Sequence, residues 1–493
     1  MRCPRRPRLQ PGSHRAKKLA AILMVGAATA ACGSSGGSGS TTTTAAAKTS
    51  TTAAASSTTA SSSSSSSTTA KSSTGGSRVN LTFWEAMGGA LGQTLQHLVS
   101  QFNASQSTYK VTAVYKGSYS TTMSDTIAAF RAHKAPDIAQ IFDAGTTTFM
   151  ASKGAYEPVW QIMKKNNIPF STSDFIGGAA SYYETAANKL DSLPFNSSTP
   201  VLYYNKALLK KAGISGPPKT WEDLAADAPK LVQAGAKCVY SPSGAYIMWT
   251  DLEEFAVWNA YQYASQDNGY QSIQNVKLNI DSAPFVKHMT LLGQLAQHHL
   301  LMWSGVKTTT VPYFTKGTCA FYANSSGDIA EITKAAKFPF GVTELPTVAG
   351  DSKAPQNTVV GGASLWVMAG TSASHYKGDA EFLHFMMSTP SMEYWAKNTG
   401  YVPVTNASSK ALKQAGFYKS HTADLVAVNE LNNKPPLPYT RGIRLGFLPK
   451  VRDAEVTAFS SVFSGKATAA QALKTAQTQG DQILAQFASQ YGH

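Results

Sequence analysis

The sequence predicts an α/β protein built on a mainly parallel sheet with both faces covered, and three observations predict it. Val79-Asn80-Leu81-Thr82-Phe83 alternates with period two; Leu91, Leu95, Leu98 and Phe102 then recur at helical spacing, and Tyr109, Val111, Ala113 and Tyr115 return to period two. A second helix around Met123 to Ala132, with Ile127 and Phe130 on one face, leads into the short apolar strand Asp137 to Phe142. Strands alternating with helices in this way place ligand contacts on loops at the carboxyl ends of the strands.

Later elements carry their own start signals. Thr220 stands three residues before Asp223, close to capping-box spacing, and opens a helix that runs to about Ala234. Phe285 to His299 places Val286, Met289, Leu292, Leu295 and Ala296 along one side of another helix. The last helix, Thr468 to Tyr491, opens on a capping box of Thr468 and Gln471 and carries Ala472, Leu473, Ala476, Ile483, Leu484 and Phe487 on its apolar face. No repeat of the solenoid type is visible.

The N-terminal part reads as targeting rather than fold. Arg2, Arg5, Arg6, Arg8, Arg15, Lys17 and Lys18 precede the apolar run Leu19 to Ala28, and Thr29-Ala30-Ala31-Cys32 follows it. Residues 1–31 are therefore expected to be a lipoprotein signal peptide, with the Cys32 thiol accepting the lipid. From Cys32 to Ser77 the chain is almost wholly Ser, Thr, Ala and Gly, without an aromatic residue, as expected of a disordered tether. The expected location is extracytoplasmic, in the periplasm or cell-envelope space, anchored to the membrane through Cys32.

The formal charge of +15 shrinks on this reading. The seven basic residues of the signal and Lys48 and Lys71 of the tether leave about +6 on the folded part, spread over its surface. Such a balance argues against a nucleic-acid partner. Of the four cysteines, Cys3 leaves with the signal and Cys32 is lipidated, so that Cys238 and Cys319 remain as an even pair in an oxidising compartment. A disulfide between them is expected, with two buried free thiols as the alternative.

No nucleophile elbow, phosphate-binding glycine loop, HExxH or calcium loop is present, and the ten His lack partners at ligand spacing. No metal or cofactor is expected. A glycosidase would need only two carboxylates brought together in space, for which Asp143, Glu253 and Glu254 are candidates. Glu253 and Glu254 are expected on a solvated helix face, and the chain is expected not to be an enzyme.

Several stretches carry a family resemblance: Ala129 to Pro136 (AFRAHKAP), Pro194 to Lys206 (PFNSSTPVLYYNK), Gly361 to Trp366 (GGASLW) and Asn433 to Pro438 (NKPPLP). Together they closely resemble the sn-glycerol-3-phosphate-binding proteins of ABC importers, within the sugar-type extracellular solute-binding family 1. The likeness runs from about Val79 nearly to the C-terminus. It implies a type II periplasmic-binding-protein-like fold: two α/β lobes joined by hinge crossings, with a ligand cleft between them. Crossings are expected near Asn196 to Leu202, Tyr322 to Ser326 and Gly361 to Val367. Lobe 1 is then about 78–195 plus 326–362, and lobe 2 about 196–325 plus 363–493.

The resemblance also implies the ligand contacts. Tyr119, Ser198, Ser325, Gly362 and Tyr401 match neutral groups that border the cleft, and Arg452 matches the cation that meets phosphate oxygens. Asp143 stands where the family has Glu and is expected at the opposite, hydroxyl-binding end. Tyr246 stands where the family has a Trp, leaving room beside the phosphate for a larger headgroup. The implied function is that of a receptor handing sn-glycerol 3-phosphate, or glycerophosphodiesters such as glycerophosphocholine, to ABC permease subunits in the membrane. A monomer is expected. An oligosaccharide receptor is the alternative, and a secreted carbohydrate-active enzyme a more distant one.

Overall fold

A computed structural model of the chain describes residues 78–306 and 309–492. The expected signal peptide, the tether and Cys32 lie outside the described residues. Ten strands form two sheets: β1 (Val79–Glu85), β2 (Tyr109–Tyr115), β3 (Ile138–Phe142), β4 (Tyr156–Glu157), β5 (Leu193–Ser198), β6 (Pro200–Asn205), β7 (Cys238–Ser241), β8 (Cys319–Ser325), β9 (Phe340–Glu344) and β10 (Gly361–Met368). The first sheet runs β2-β1-β3-β10-β4, with β5 also on β10; the second runs β7-β8-β6-β9.

The local elements follow the sequence periods. In β1, Leu81 and Phe83 point into the core while Asn80 and Thr82 face out. The helix Gly89–Ser105 buries Leu95, Leu98, Val99 and Phe102, and Phe102 packs edge-on to Phe382 with ring centres 5.1 Å apart. β3 is buried at all five positions because helices cover both faces of its sheet. The predicted helices appear as Tyr119–Arg131, Trp221–Gln233, Ala283–Gln297 and Ala469–Tyr491, with both capping boxes, Thr220–Asp223 and Thr468–Gln471, formed.

Two expectations need correction. The sheets are mixed rather than mainly parallel: β1 is parallel to β2 and β3, but β10 runs antiparallel to β3, β4 and β5, and β6 antiparallel to β8 and β9. The cause is the path of the chain, which leaves the first sheet after β5 and re-enters it from the other lobe as β10. The lobe boundaries at 325/326 and 362/363 are displaced for the same reason. β8 and β9 both flank β6, so the chain does not change lobes near Tyr322 to Ser326, and residues 326–344 stay with the second lobe. β10 lies wholly in the first sheet, and the helix Ala373–Met387 packs on β1, which returns this part of 363–493 to the first lobe.

The observed crossings are Thr199, between β5 and β6, and the segment between β9 and β10. A third is the helix Thr422–Leu431. Its Ala427 and Leu431 pack in the first lobe's core, and Ala423 and Val426 pack against the second. The closing helices Leu448–Phe463 and Ala469–Tyr491 pack together and against Ala283–Gln297 in the second lobe. Among the described residues no helix is long and apolar enough to cross a membrane.

Cys238 and Cys319 are bonded, as expected. They are register partners on the adjacent parallel strands β7 and β8, 81 residues apart in sequence. Closing so long a loop restricts the unfolded chain, so Cys238→Ser together with Cys319→Ser should lower stability by about 2–4 kcal/mol. Denaturant titration of the double variant checks this: a midpoint equal to that of the wild type would show that the bond contributes nothing.

Candidate functional site

The carboxyl ends of β3, β5 and β8 and the start of β10 converge on one cavity of about 190 Å³ between the lobes. All eight residues expected to meet ligand line it: Tyr119, Asp143, Ser198, Tyr246, Ser325, Gly362, Tyr401 and Arg452. Each is placed by a local device. Asp143 follows the last residue of β3 and starts a short 3-10 turn, while the Tyr182 hydroxyl donates to the Asp143 carbonyl (2.9 Å) and to the Ile443 carbonyl (2.9 Å). This ties the strand end to the segment that leads into the helix of Arg452. Ser198 and Ser325 are the last residues of β5 and β8. The Ser325 hydroxyl accepts from the Gly327 amide at 3.0 Å, which leaves its own proton to donate.

Gly362 is required by its backbone. Its φ is +101°, and a Cβ there would sit 1.8 Å from the Asn196 carbonyl oxygen. Asn196 in turn donates from Nδ2 to the Tyr119 hydroxyl (2.7 Å) and accepts from Gln140 Nε2 (2.8 Å), so the aromatic wall is braced by a buried amide pair. Tyr119 stacks on Phe142 with ring centres 5.6 Å apart, and Tyr401 stacks on Trp395 at the same separation.

At the centre is an ion triad. Arg452 donates from Nε and Nη2 to the two oxygens of Glu253 (2.7 and 2.9 Å) and from Nη2 to Asp143 (2.8 Å). Nη1 takes no part in these three bonds. Arg452 is 5% exposed, Asp143 8% and Glu253 2%. Burial pushes the Asp143 and Glu253 carboxyls above the usual range, and the attraction of Arg452 only partly offsets it.

Two expectations fail here. Asp143 does not stand at the end opposite Arg452 but holds it directly, because a guanidinium out of water needs counter-charges within reach. Glu253 and Glu254 are not on a solvated face; both are buried, and Glu254 accepts from the Val359 amide at 2.8 Å.

The site includes residues that were not among the expected ligand contacts: Met87, Leu91, Trp249, Asn324, Asp328, Gly361 and, through Arg452, Glu253. Trp249 to Glu253 form a π-helical turn, a feature often found at functional sites. The Trp249 indole lies so close to Gly361 that a Cβ there would be 2.3 Å from the ring. Two signals could have pointed to these residues: Trp249 is three residues beyond Tyr246, and Asp328 closes the turn that Ser325 opens.

Sequence and structure comparisons give the chain's relatives. A family model described as bacterial extracellular solute-binding protein matches residues 97–423. The sn-glycerol-3-phosphate-binding periplasmic protein UgpB of Yersinia enterocolitica is 44% identical over 410 residues, covering 83% of this chain and 92% of its own. The protein of that name from Escherichia coli O1:K1 is 42% identical, covering 83% of this chain and 93% of its own. Among solved structures, UgpB from Mycobacterium tuberculosis in complex with glycerophosphocholine matches with a TM-score of 0.69 at 21% identity, covering 83% of this chain and 98% of its own. The acarbose-binding GacH receptor of Streptomyces glaucescens matches at 0.69 and 18%, covering 83% of this chain and 99% of its own. At those identities the two structures support the type II fold alone.

Gly362→Ala tests the cradle. The added methyl group must displace the β5 carbonyl beside it, so the variant should melt several degrees lower and lose ligand binding. An unchanged melting temperature would show that β5 and β10 tolerate the change.

Proposed function

Starting from the fact that this chain belongs to the bacterial extracellular solute-binding proteins, we propose that it is the substrate-binding receptor of an ABC importer for glycerophosphate compounds. sn-Glycerol 3-phosphate and diesters such as glycerophosphocholine are the solutes, and membrane permease subunits are the partners. The protein binds and releases its solute without chemical change. The observation that carries this reading is the convergence of all eight residues, Arg452 among them, on one cavity.

On this reading the phosphate meets Arg452 through Nη1, the donor outside the triad, together with the hydroxyls of Ser198, Ser325 and Tyr401. A planar guanidinium suits phosphate oxygens, and its strength grows where water is excluded. Asp143 and Glu253 orient the cation and offer remaining lone pairs to the glycerol hydroxyls. Asp143 comes from the first lobe, Arg452 and Glu253 from the second, so a solute seated among them engages both lobes at once and favours closure. The oligosaccharide reading fits less well, because a neutral sugar brings no charge for the buried Arg452 guanidinium to meet.

Calorimetry against sn-glycerol 3-phosphate, glycerophosphocholine and maltose tests the proposal. Wild type should bind the phosphate compounds, and Arg452→Ala should weaken them by roughly tenfold to a hundredfold, since a charge-assisted contact contributes about 1.5–3 kcal/mol. Thermal melting separates this from a folding defect. Tight maltose binding that survives Arg452→Ala would favour the oligosaccharide receptor, and turnover of any of these compounds would sink the non-catalytic reading.

The lipid anchor at Cys32 belongs to the same proposal and has its own test. Cys32→Ala should move the protein from the membrane to the soluble fraction with its affinity unchanged; a variant that stays on the membrane means another segment holds it there.

A further inference from the structure

The cavity holds a third carboxylate that the triad does not use. Asp328 lines it, half-buried, at the end of the turn Ser326–Asp328. Its Oδ2 accepts from the Tyr322 hydroxyl (3.0 Å) and from Asn324 Nδ2 (2.6 Å), and Oδ1 takes part in neither bond. Among the described residues Asp328 has no ion pair. Asp328 directly precedes the helix Ile329–Ala335, yet its carboxylate caps none of the helix amides, so capping does not account for it. Around it in the cavity stand the rings of Tyr246, Trp249 and Tyr401.

The charges in this small space do not balance. One guanidinium is shared by Asp143 and Glu253, and Asp328 adds negative charge without a cation of its own. A phosphate monoester brings close to two further negative charges near neutral pH. A phosphodiester brings one, and where its second arm ends in a quaternary ammonium the ligand is neutral overall. A carboxylate flanked by aromatic faces is the usual setting for such a cation.

Resting on the receptor reading above, we infer that Asp328 sets the charge class of the ligand. Ionised, it favours a glycerophosphodiester carrying its own cation; only after taking up a proton does it admit a monoester dianion. The groups facing it are Glu331 from its own helix, Tyr322 and Asn324 from β8, Tyr203 from β6, Tyr246 beside the π-helical turn, and Tyr401. The tyrosines are held neutral by burial, so Asp328 and Glu331 carry the charge of this corner. Burial first, and Glu331 second, push the Asp328 carboxyl up to about 7, against the pull of its bonds to Asn324 and Tyr322. The choice is thus made within the physiological range.

Calorimetry with sn-glycerol 3-phosphate and glycerophosphocholine at about pH 7 and about pH 8.5, where the monoester's own charge is settled, reads this out. In wild type the diester-to-monoester affinity ratio should rise by roughly tenfold or more between the two, because the protonated fraction that accepts the monoester falls from about half to a few per cent. In Asp328→Asn the ratio should move toward the monoester and stay flat with pH. A wild-type ratio that does not change with pH overturns the inference even if the variant fails to fold, and so does a ratio unmoved by the substitution. Binding of both ligands at an invariant ratio leaves the receptor reading intact, whereas failure of both to bind wild type overturns that reading and this one together.

Discussion

The cleft depends on what satisfies one buried guanidinium. Arg452 sits on a helix of the second lobe, one counter-charge (Glu253) on the same lobe and the other (Asp143) on the first. The bidentate bond to Glu253 fixes the plane of the fork, and the single bond to Asp143 spans the cleft. Breaking one partner of a buried charge pair is costly, whereas exchanging one anion for another costs far less. Both counter-charges therefore stay on the cation, and Nη1 is the donor outside the triad. The cross-lobe bond gives the two lobes an electrostatic reason to meet.

The surrounding structure serves that contact. Tyr182 pins the carbonyl of Asp143 to the segment before the Arg452 helix, which sets the distance over which the triad forms. The Gln140–Asn196–Tyr119 chain holds the opposite wall, and the absence of side chains at Gly361 and Gly362 lets an indole and a strand carbonyl approach the backbone. The buried amide pair and the ion triad are tolerated because their polar groups are bonded to one another.

Much of this was legible in the sequence, and what was not had physical causes. Strand and helix periods marked β1, β2 and the long helices because each buries one face only, and the capping boxes are local chemistry. The eight cavity residues were legible through motif context, not through their types, since a lone Ser or Tyr says little. Glu253 was misread because adjacent acids on a helix normally face water; the π-helical turn and a cation about two hundred residues away in sequence reverse that, and no local pattern announces either. The lobe boundaries slipped because β9 and β10 carry the same apolar pattern whichever sheet receives them. Pairing partners, unlike periodicity, are a property of the whole chain.

The Cys238–Cys319 bond joins two strands of one sheet and crosses none of the three connections between lobes. Had it bridged the cleft, each capture and release would have had to strain a covalent link or stop short of it. As it stands, the oxidised cystine hardens one jaw and leaves the travel of the other untouched. Oxidation state and grip are thereby uncoupled: a molecule made without the bond has the same hinges and the same cavity lining, and what it loses is persistence of the folded chain outside the cell rather than selectivity for its cargo.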